Sequence, residues 1–176
     1  MSKKKIIIIG DELLRGVSHP VKKFDKRLDM IVRDMTETMY HANGVGLAAP
    51  QIGLKRRICV IDAGEGPKAY INPEITAAEG EIAMVEGCLS VPGRQGCVTR
   101  PEKVTVKAQD TRGDFFEEQA DGLLARALQH EIDHLNGVLY VDLMDYEVFE
   151  EDEDEGEEEP RHPVRRRAAR EERPGA

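Results

Sequence analysis

Two histidines four residues apart, with a glutamate after the first, stand in Gln129-His130-Glu131-Ile132-Asp133-His134 and are the residues of this sequence best suited to chemistry. On a helix, a spacing of four sets two side chains one above the other on the same face, so both imidazoles can reach a single metal ion. Glu131 projects about 100° away, close enough to reach a water at the metal without ligating the metal itself. Either histidine alone would read as a buried structural residue. The pair with its glutamate does not.

Two imidazoles need a third ligand. A metzincin protease would continue with a glycine and a third histidine. Gly137 stands in the glycine's place, but Tyr140 occupies the position of that histidine. Asp142, Asp145 and Glu147 follow, as in zinc proteases with a downstream acidic ligand, yet they lie across a glycine on an expected strand with no second helix to present them. Cys88, on the glycine-flanked turn Glu86-Gly87-Cys88-Leu89-Ser90, is the better candidate. A thiolate and two imidazoles leave a fourth position open for water, which is the arrangement of a catalytic rather than a structural site. Cys59 lies in a short apolar run and Cys97 opens an alternating stretch; both read as buried strand residues. A further segment, Gly44-Val45-Gly46-Leu47-Ala48-Ala49-Pro50-Gln51, is a loop of small residues ending in an amide. Small residues let a peptide backbone approach closely, and Gln51 can donate to a developing oxyanion.

These residues need elements to hold them. The spacing of Leu28, Ile31, Val32, Met35 and Met39 predicts a helix from Asp25, its cap, to Tyr40, ended by Asn43-Gly44. Ala49–Gly53 is expected to continue as loop. Strands are expected at Arg57–Ile61, Ala69–Asn72, Glu81–Glu86 and Lys103–Gln109, the last alternating Val104, Val106 and Ala108 with Thr105, Lys107 and Gln109. Gly80, Pro92-Gly93, Pro101 and Gly113 punctuate them. A second helix follows Asp121-Gly122, with Leu123, Leu124, Ala127, Leu128, Ile132 and Leu135 as its buried stripe and Gly137 closing it. Val138–Val141 is expected to be one more strand. The order is not βαβα, so the expected class is α+β, with short antiparallel strands packed around one central helix that carries the metal motif.

The chain has 176 residues, 40% hydrophobic and 34% charged, with a formal net charge of -9. Residues 147–176 carry 12 acids and 6 bases, a net -6, which leaves -3 for residues 1–146. The expected organisation is therefore a catalytic domain over 1–146 and a disordered tail over 147–176, acidic and then basic, with too little apolar surface to offset its ordering entropy. This charge balance argues against a nucleic-acid binder working through a broad basic surface. No apolar run approaches the roughly 18–20 residues needed to span a bilayer. Lys3, Lys4 and Lys5 before Ile6–Ile9 imitate a signal-peptide start, but four isoleucines are too few for its apolar core. Three cysteines with no C-x-x-C pair suit a reducing compartment, so the expected location is the cytoplasm.

Three segments together, Gly-Val-Gly-Leu-Ala-Ala-Pro-Gln at 44–51, Glu-Gly-Cys-Leu-Ser at 86–90 and Gln-His-Glu-Ile-Asp-His-Leu at 129–135, resemble the motifs of the peptide deformylase family in order and spacing. The resemblance covers about residues 10–145. It implies Cys88, His130 and His134 as metal ligands, Glu131 as catalytic acid/base, and Gln51 with the backbone N–H of Leu89 as oxyanion donors. It further implies a substrate site formed by Gly44, Val45, Gly46, Glu86, Gly87, Arg126 and Leu128, with Arg100 paired to Glu86 beneath the methionine pocket. The implied metal is Fe(2+), one per chain, with Zn(2+), Ni(2+) or Co(2+) as substitutes. The implied substrates are N-formylmethionyl nascent polypeptides, from which formate is released, with transient ribosome contact and neither membrane nor specific nucleic acid as partner. Some relatives dock through a basic C-terminal helix; the acidic run here departs from them. The residues alone leave two other readings, a zinc metalloprotease of the H-E-x-x-H type and a non-catalytic metal-binding domain.

Overall fold

The computed structural model describes residues 2–150. The alternation of Val104, Val106 and Ala108 becomes strand β6 (Lys103–Gln109), with those three side chains buried and Lys103 and Lys107 in solvent. It lies between β3 (Lys68–Glu79) and β7 (Phe115–Ala120) in a five-stranded antiparallel sheet that continues through β2 (Ile58–Ile61) to β1 (Gly46–Ala48). Strand β2 is buried on both faces, which explains its unbroken apolar run. Ile58 and Val60 pack against Leu28, Met35 and Met39 of helix α1 (Lys26–His41), while Cys59 and Ile61 pack against Leu128, Ile132 and Leu135 of helix α2 (Gly122–Leu135). The two helices therefore cover opposite faces of one sheet. Asp25 caps α1 by accepting the N–H of Leu28 at 3.1 Å.

A second antiparallel sheet, β4 (Ile82–Cys88), β5 (Val91–Arg100) and β8 (Tyr146–Val148), carries Cys88 at the end of β4. It joins the rest through Val91, Val98, Leu139 and Tyr140. Gly137 ends α2 with φ +76°, and a Cβ there would come 2.4 Å from the carbonyl oxygen of Arg15, so the turn into this sheet requires glycine. The class is α+β, as expected. Among the described residues no helix is long and apolar enough to cross a membrane.

Several local expectations are corrected. Residues 138–141 do not form a strand: Tyr140–Leu143 is a one-turn helix, α3, whose start is held by the Leu139 N–H on Asp142 Oδ2 at 3.0 Å. A short apolar run does not distinguish the two structures, and the aspartate decides it. Ala49–Ile52 is a 3₁₀ turn rather than open loop. Pro92-Gly93 lies inside β5, at the register shift opposite Gly87 and Cys88, where a residue without an N–H costs no ladder bond. The boundary expected at 146 falls within β8, because Glu147 and Val148 pair with Gly96 and Gln95 and Glu147 accepts from Arg94 Nε at 2.7 Å. The expectation for 151–176 lies outside the described residues. Truncation after Tyr146 should therefore lower the melting temperature by several degrees, at a cost of about 1–2 kcal/mol in ladder and ion-pair contacts, compared with truncation after Glu150. Equal melting of the two truncations would show that β8 contributes nothing.

Candidate active site

Helical spacing divides α2 into three stripes. Leu128, Ile132 and Leu135 face the large sheet. Arg126, His130 and His134 form the second stripe, and Leu123, Ala127 and Glu131 the third. The second stripe meets the end of β4. His134 Nε2 lies 3.3 Å from Cys88 Sγ, the two imidazole centroids are 5.0 Å apart, and one ligand atom from each of Cys88, His130 and His134 falls within 4.8 Å of the others. All three cysteines are free. One sulfur and two ring nitrogens converging on one point are a donor set that fits a divalent transition metal.

Glu86, one strand position inside Gly87, orients this cluster. Its Oε1 accepts from Arg100 Nε at 2.5 Å and Arg126 Nη1 at 2.9 Å; its Oε2 accepts from Arg100 Nη2 at 3.1 Å and lies 3.0 Å from His130 Nδ1. Glu86, Arg100 and Arg126 are all buried. Burial by itself would raise the Glu86 carboxyl, but the hydrogen bonds and charges of His130 and Arg100 outweigh it and hold the group at about 2. Because a carboxylate only accepts, Nδ1 of His130 is the donor and Nε2 is left to face Cys88 and His134. Burial opposes a proton on His130, yet the adjacent Cys88 and Glu86 raise it to about 10 in the metal-free site. A metal must therefore displace that proton, and affinity should rise with pH.

A cleft of about 380 Å³ opens beside the cluster. Val45, Val85, Leu123 and Ala127 form apolar walls, and Glu131 lies at the floor with His130. Glu131 is buried, its Oε2 has no hydrogen-bond partner among the described residues, and burial pushes its carboxyl up to about 7. Gly46 passes directly over it: a Cβ at 46 would come 2.6 Å from Glu131 Oε1. Gly46→Ala should displace the carboxylate and lower turnover by about a hundredfold, since a shift of about 1 Å at a reacting group has that scale. Near-normal turnover of this variant would show that the close approach is irrelevant. Gln51 is buried, with its Oε1 taking the Ala48 N–H at 2.9 Å, so its amide nitrogen points toward Ser90 Oγ at 3.1 Å and Cys88 Sγ at 3.6 Å.

The family model described as "Polypeptide deformylase" matches residues 3–149. The chain belongs to the polypeptide deformylase family. It is 55% identical over 152 residues to the peptide deformylase of Caldicellulosiruptor bescii, covering 86% of this chain and 92% of that one. The crystal structure of a peptide deformylase from Legionella pneumophila matches with a TM-score of 0.79 and 51% identity over 81% of this chain and 86% of that one. That of a peptide deformylase from Synechococcus elongatus in complex with actinonin matches with a TM-score of 0.78 and 44% identity over 83% and 85%. Enzymes of the deformylase family are metal-dependent hydrolases that remove the N-formyl group from newly made proteins, and this is the activity of the chain.

Within this deformylase fold the expected site residues divide clearly. Gly44, Val45, Gly46, Gln51, Glu86, Gly87, Cys88, Leu89, Arg126, His130 and Glu131 all border the cleft, and His134 lies behind it. Leu128 does not: it is fully buried against the large sheet, and Leu123 and Ala127 take the wall position assigned to it. The reason is angular, since residue 128 is one step of about 100° away from the cleft-facing stripe. Arg126 reaches the cleft edge but is held in the Glu86 cluster, where it also donates to the carbonyls of Val98 and Ile82, each at 2.8 Å. Its position four residues before His130 is the signal that could have revealed this. Tyr140, whose ring stacks on His130 at 6.0 Å, and Asp133, which accepts from Arg100 Nη1 at 2.7 Å, were not foreseen.

Proposed function

We propose that this chain hydrolyses the N-formyl group of N-formylmethionyl nascent polypeptides with Cys88, His130 and His134 as metal ligands and Glu131 as the proton-transferring group. The observation that carries this reading is the convergence of those three ligand atoms beside an unpartnered, buried carboxylate at the floor of an apolar cleft. A divalent ion held there supplies Lewis acidity, activating water and polarising the formyl oxygen. Glu131 takes a proton from the attacking water and later gives it to the departing amine, so that water and the formamide become formate and a free N-terminus. Gln51 Nε2 and the Leu89 N–H donate to the oxyanion, each contributing on the order of 3 kcal/mol. Gly44, Val45, Gly46 and Gly87 receive the peptide backbone, and Val45, Leu123 and Ala127 enclose the methionine side chain, giving discrimination of about 1–3 kcal/mol per methylene.

The metal of this reading is Fe(2+), with Ni(2+), Co(2+) or Zn(2+) able to occupy the same ligands. Iron-loaded protein should lose activity in air while nickel-loaded protein retains it longer, because ferrous iron and the Cys88 thiolate are both oxidisable. Full activity of the iron form after prolonged aeration would favour zinc. The enzyme acts in the cytoplasm on chains leaving the ribosome, with a transient ribosome contact, and residues beyond Glu150 are not needed for the chemistry. Formate release from formyl-Met-Ala-Ser, beside its unformylated and acetylated versions, tests the proposal. Release from the formyl peptide alone supports it. Cleavage of internal amides in the unformylated peptide would indicate a metalloprotease, and metal binding with no turnover a binding domain.

A further inference from the structure

The isoleucines Ile6–Ile9, which imitate a signal-peptide start, have a different use in the fold. They run between the two loops that carry the oxyanion donors. The N–H of Ile7 donates to the carbonyl of Gln51 at 2.8 Å, and the N–H of Ile9 donates to the carbonyl of Ser90 at 2.7 Å. Ile6 packs into the cluster that holds Leu47, Ile52 and Leu89, while Ile9 packs beside Cys88 and Val91. Ile8, between the two bonded positions, is 53% exposed. Gln51 Nε2 reaches Ser90 Oγ directly at 3.1 Å, so the isoleucine segment and this side-chain bond close a ring around the two loops.

We propose that Ile7 and Ile9 are positioning residues for deformylation: their backbone N–H groups set the distance between the Gln51 turn and the Leu89-Ser90 turn, and so aim both oxyanion donors at one point. The inference rests on the reading of Gln51 and Leu89 as those donors. Preorganised donors lose their advantage when displaced, and a displacement of about 1 Å costs on the order of a hundredfold. Apart from this segment and the side-chain contacts of Gln51 Nε2 with Ser90 Oγ and Cys88 Sγ, each loop is continuous with a different part of the fold, the first with β1 and the second with β4 and β5. The N-terminal segment bridges them by main-chain bonds to both.

Ile7→Pro and Ile9→Pro remove the N–H groups, whereas Ile7→Val and Ile9→Val keep them. Lys5→Pro serves as the proline control, since Lys5 is exposed and makes no backbone hydrogen bond among the described residues. Metal content, melting temperature, kcat and KM on formyl-Met-Ala-Ser would be measured on the full chain. Each proline variant at 7 or 9 should lower kcat at least about tenfold. KM, metal per chain and the pH dependence of kcat should stay near the parent values, the valine variants should recover kcat, and Lys5→Pro should match the parent. Unchanged kcat in both proline variants would overturn the proposal. So would a fall in kcat that tracks lost metal, an equal rise in KM, or failure to fold, since the segment would then serve the fold and not the donors. If the parent released no formate from this peptide, the assignment of the site would have failed and the proposal with it; an active parent with insensitive variants refutes the positioning role alone.

Discussion

Glu131→Gln is expected to keep its metal and to lose at least about a hundredfold in turnover on a formyl-methionyl peptide, the usual scale for removing a general base. The proposed ligands Cys88, His130 and His134 are untouched, and an amide occupies the same space under Gly46. The same variant should be more stable than the parent without metal. Burial is the largest cause pushing the Glu131 carboxyl up to about 7 from its ordinary 4.5, so the unfolded chain ionises this group first. Its ionisation therefore favours unfolding progressively as pH rises from about 4.5 to 7, and the full penalty applies above 7. Metal-free Glu131→Gln should then melt several degrees above the metal-free parent at about pH 8, with the difference vanishing toward about pH 4. Near-normal turnover with stoichiometric metal would remove Glu131 from the chemistry. Identical melting of the two metal-free proteins at both pH values would contradict the buried, unpartnered carboxylate.

Glu86→Gln is expected to damage the fold more than any other single change near the cleft. Its carboxylate is the shared acceptor for Arg100, Arg126 and His130. An amide supplies one oxygen but turns an NH₂ toward two donors, leaving buried guanidinium charge without its partner. Breaking a buried ion pair in this way costs about 3–5 kcal/mol, which corresponds to a drop of about 10 °C in melting temperature. The amide nitrogen in the place of Oε2 faces Arg100 Nη2 and His130 Nδ1, and because Asp133 still accepts from Arg100, His130 is the group left worst served. Loss of the acceptor on His130 Nδ1 should also weaken metal binding by about tenfold to a hundredfold. The sign with pH is fixed: Glu86 is held at about 2 in the fold, below its ordinary 4.5, so its contribution is present above about 4.5 and disappears as pH falls toward 2. The melting gap between parent and variant should shrink over that window. A constant gap down to about pH 2 would mean that the ion cluster is not its source.

Much of the chemistry is written locally. Two imidazoles four residues apart with a glutamate beside the first need only a helix to face one way, and the apolar stripe of Leu128, Ile132 and Leu135 supplies that helix. Asp25 as a cap, the alternation in Lys103–Gln109 and the apolar run at Ile58–Ile61 likewise set α1, β6 and β2, because each depends on neighbours within a few residues. What depends on partners distant in the chain was not legible. A count of spacing places Leu128 in the right stretch of α2, but only the large sheet decides that it turns inward while Ala127 turns to the cleft. Val138–Val141 is apolar enough for a strand, and Asp142 makes it a helical turn instead. Glu147 and Val148 lie in an acidic stretch, yet β5 has an open edge and Arg94 to receive them. The isoleucines at 6–9 name no function by composition; their N–H groups find Gln51 and Ser90 only after both loops are in place. The sequence by itself determined the residue types of the site, the helix that carries its histidines and the α+β class, because these follow from local periodicity. Tertiary structure decided that Cys88 meets those histidines, that Glu86 serves three donors at once and that Gly46 closes over Glu131, because each is a contact between segments whose approach no local pattern encodes.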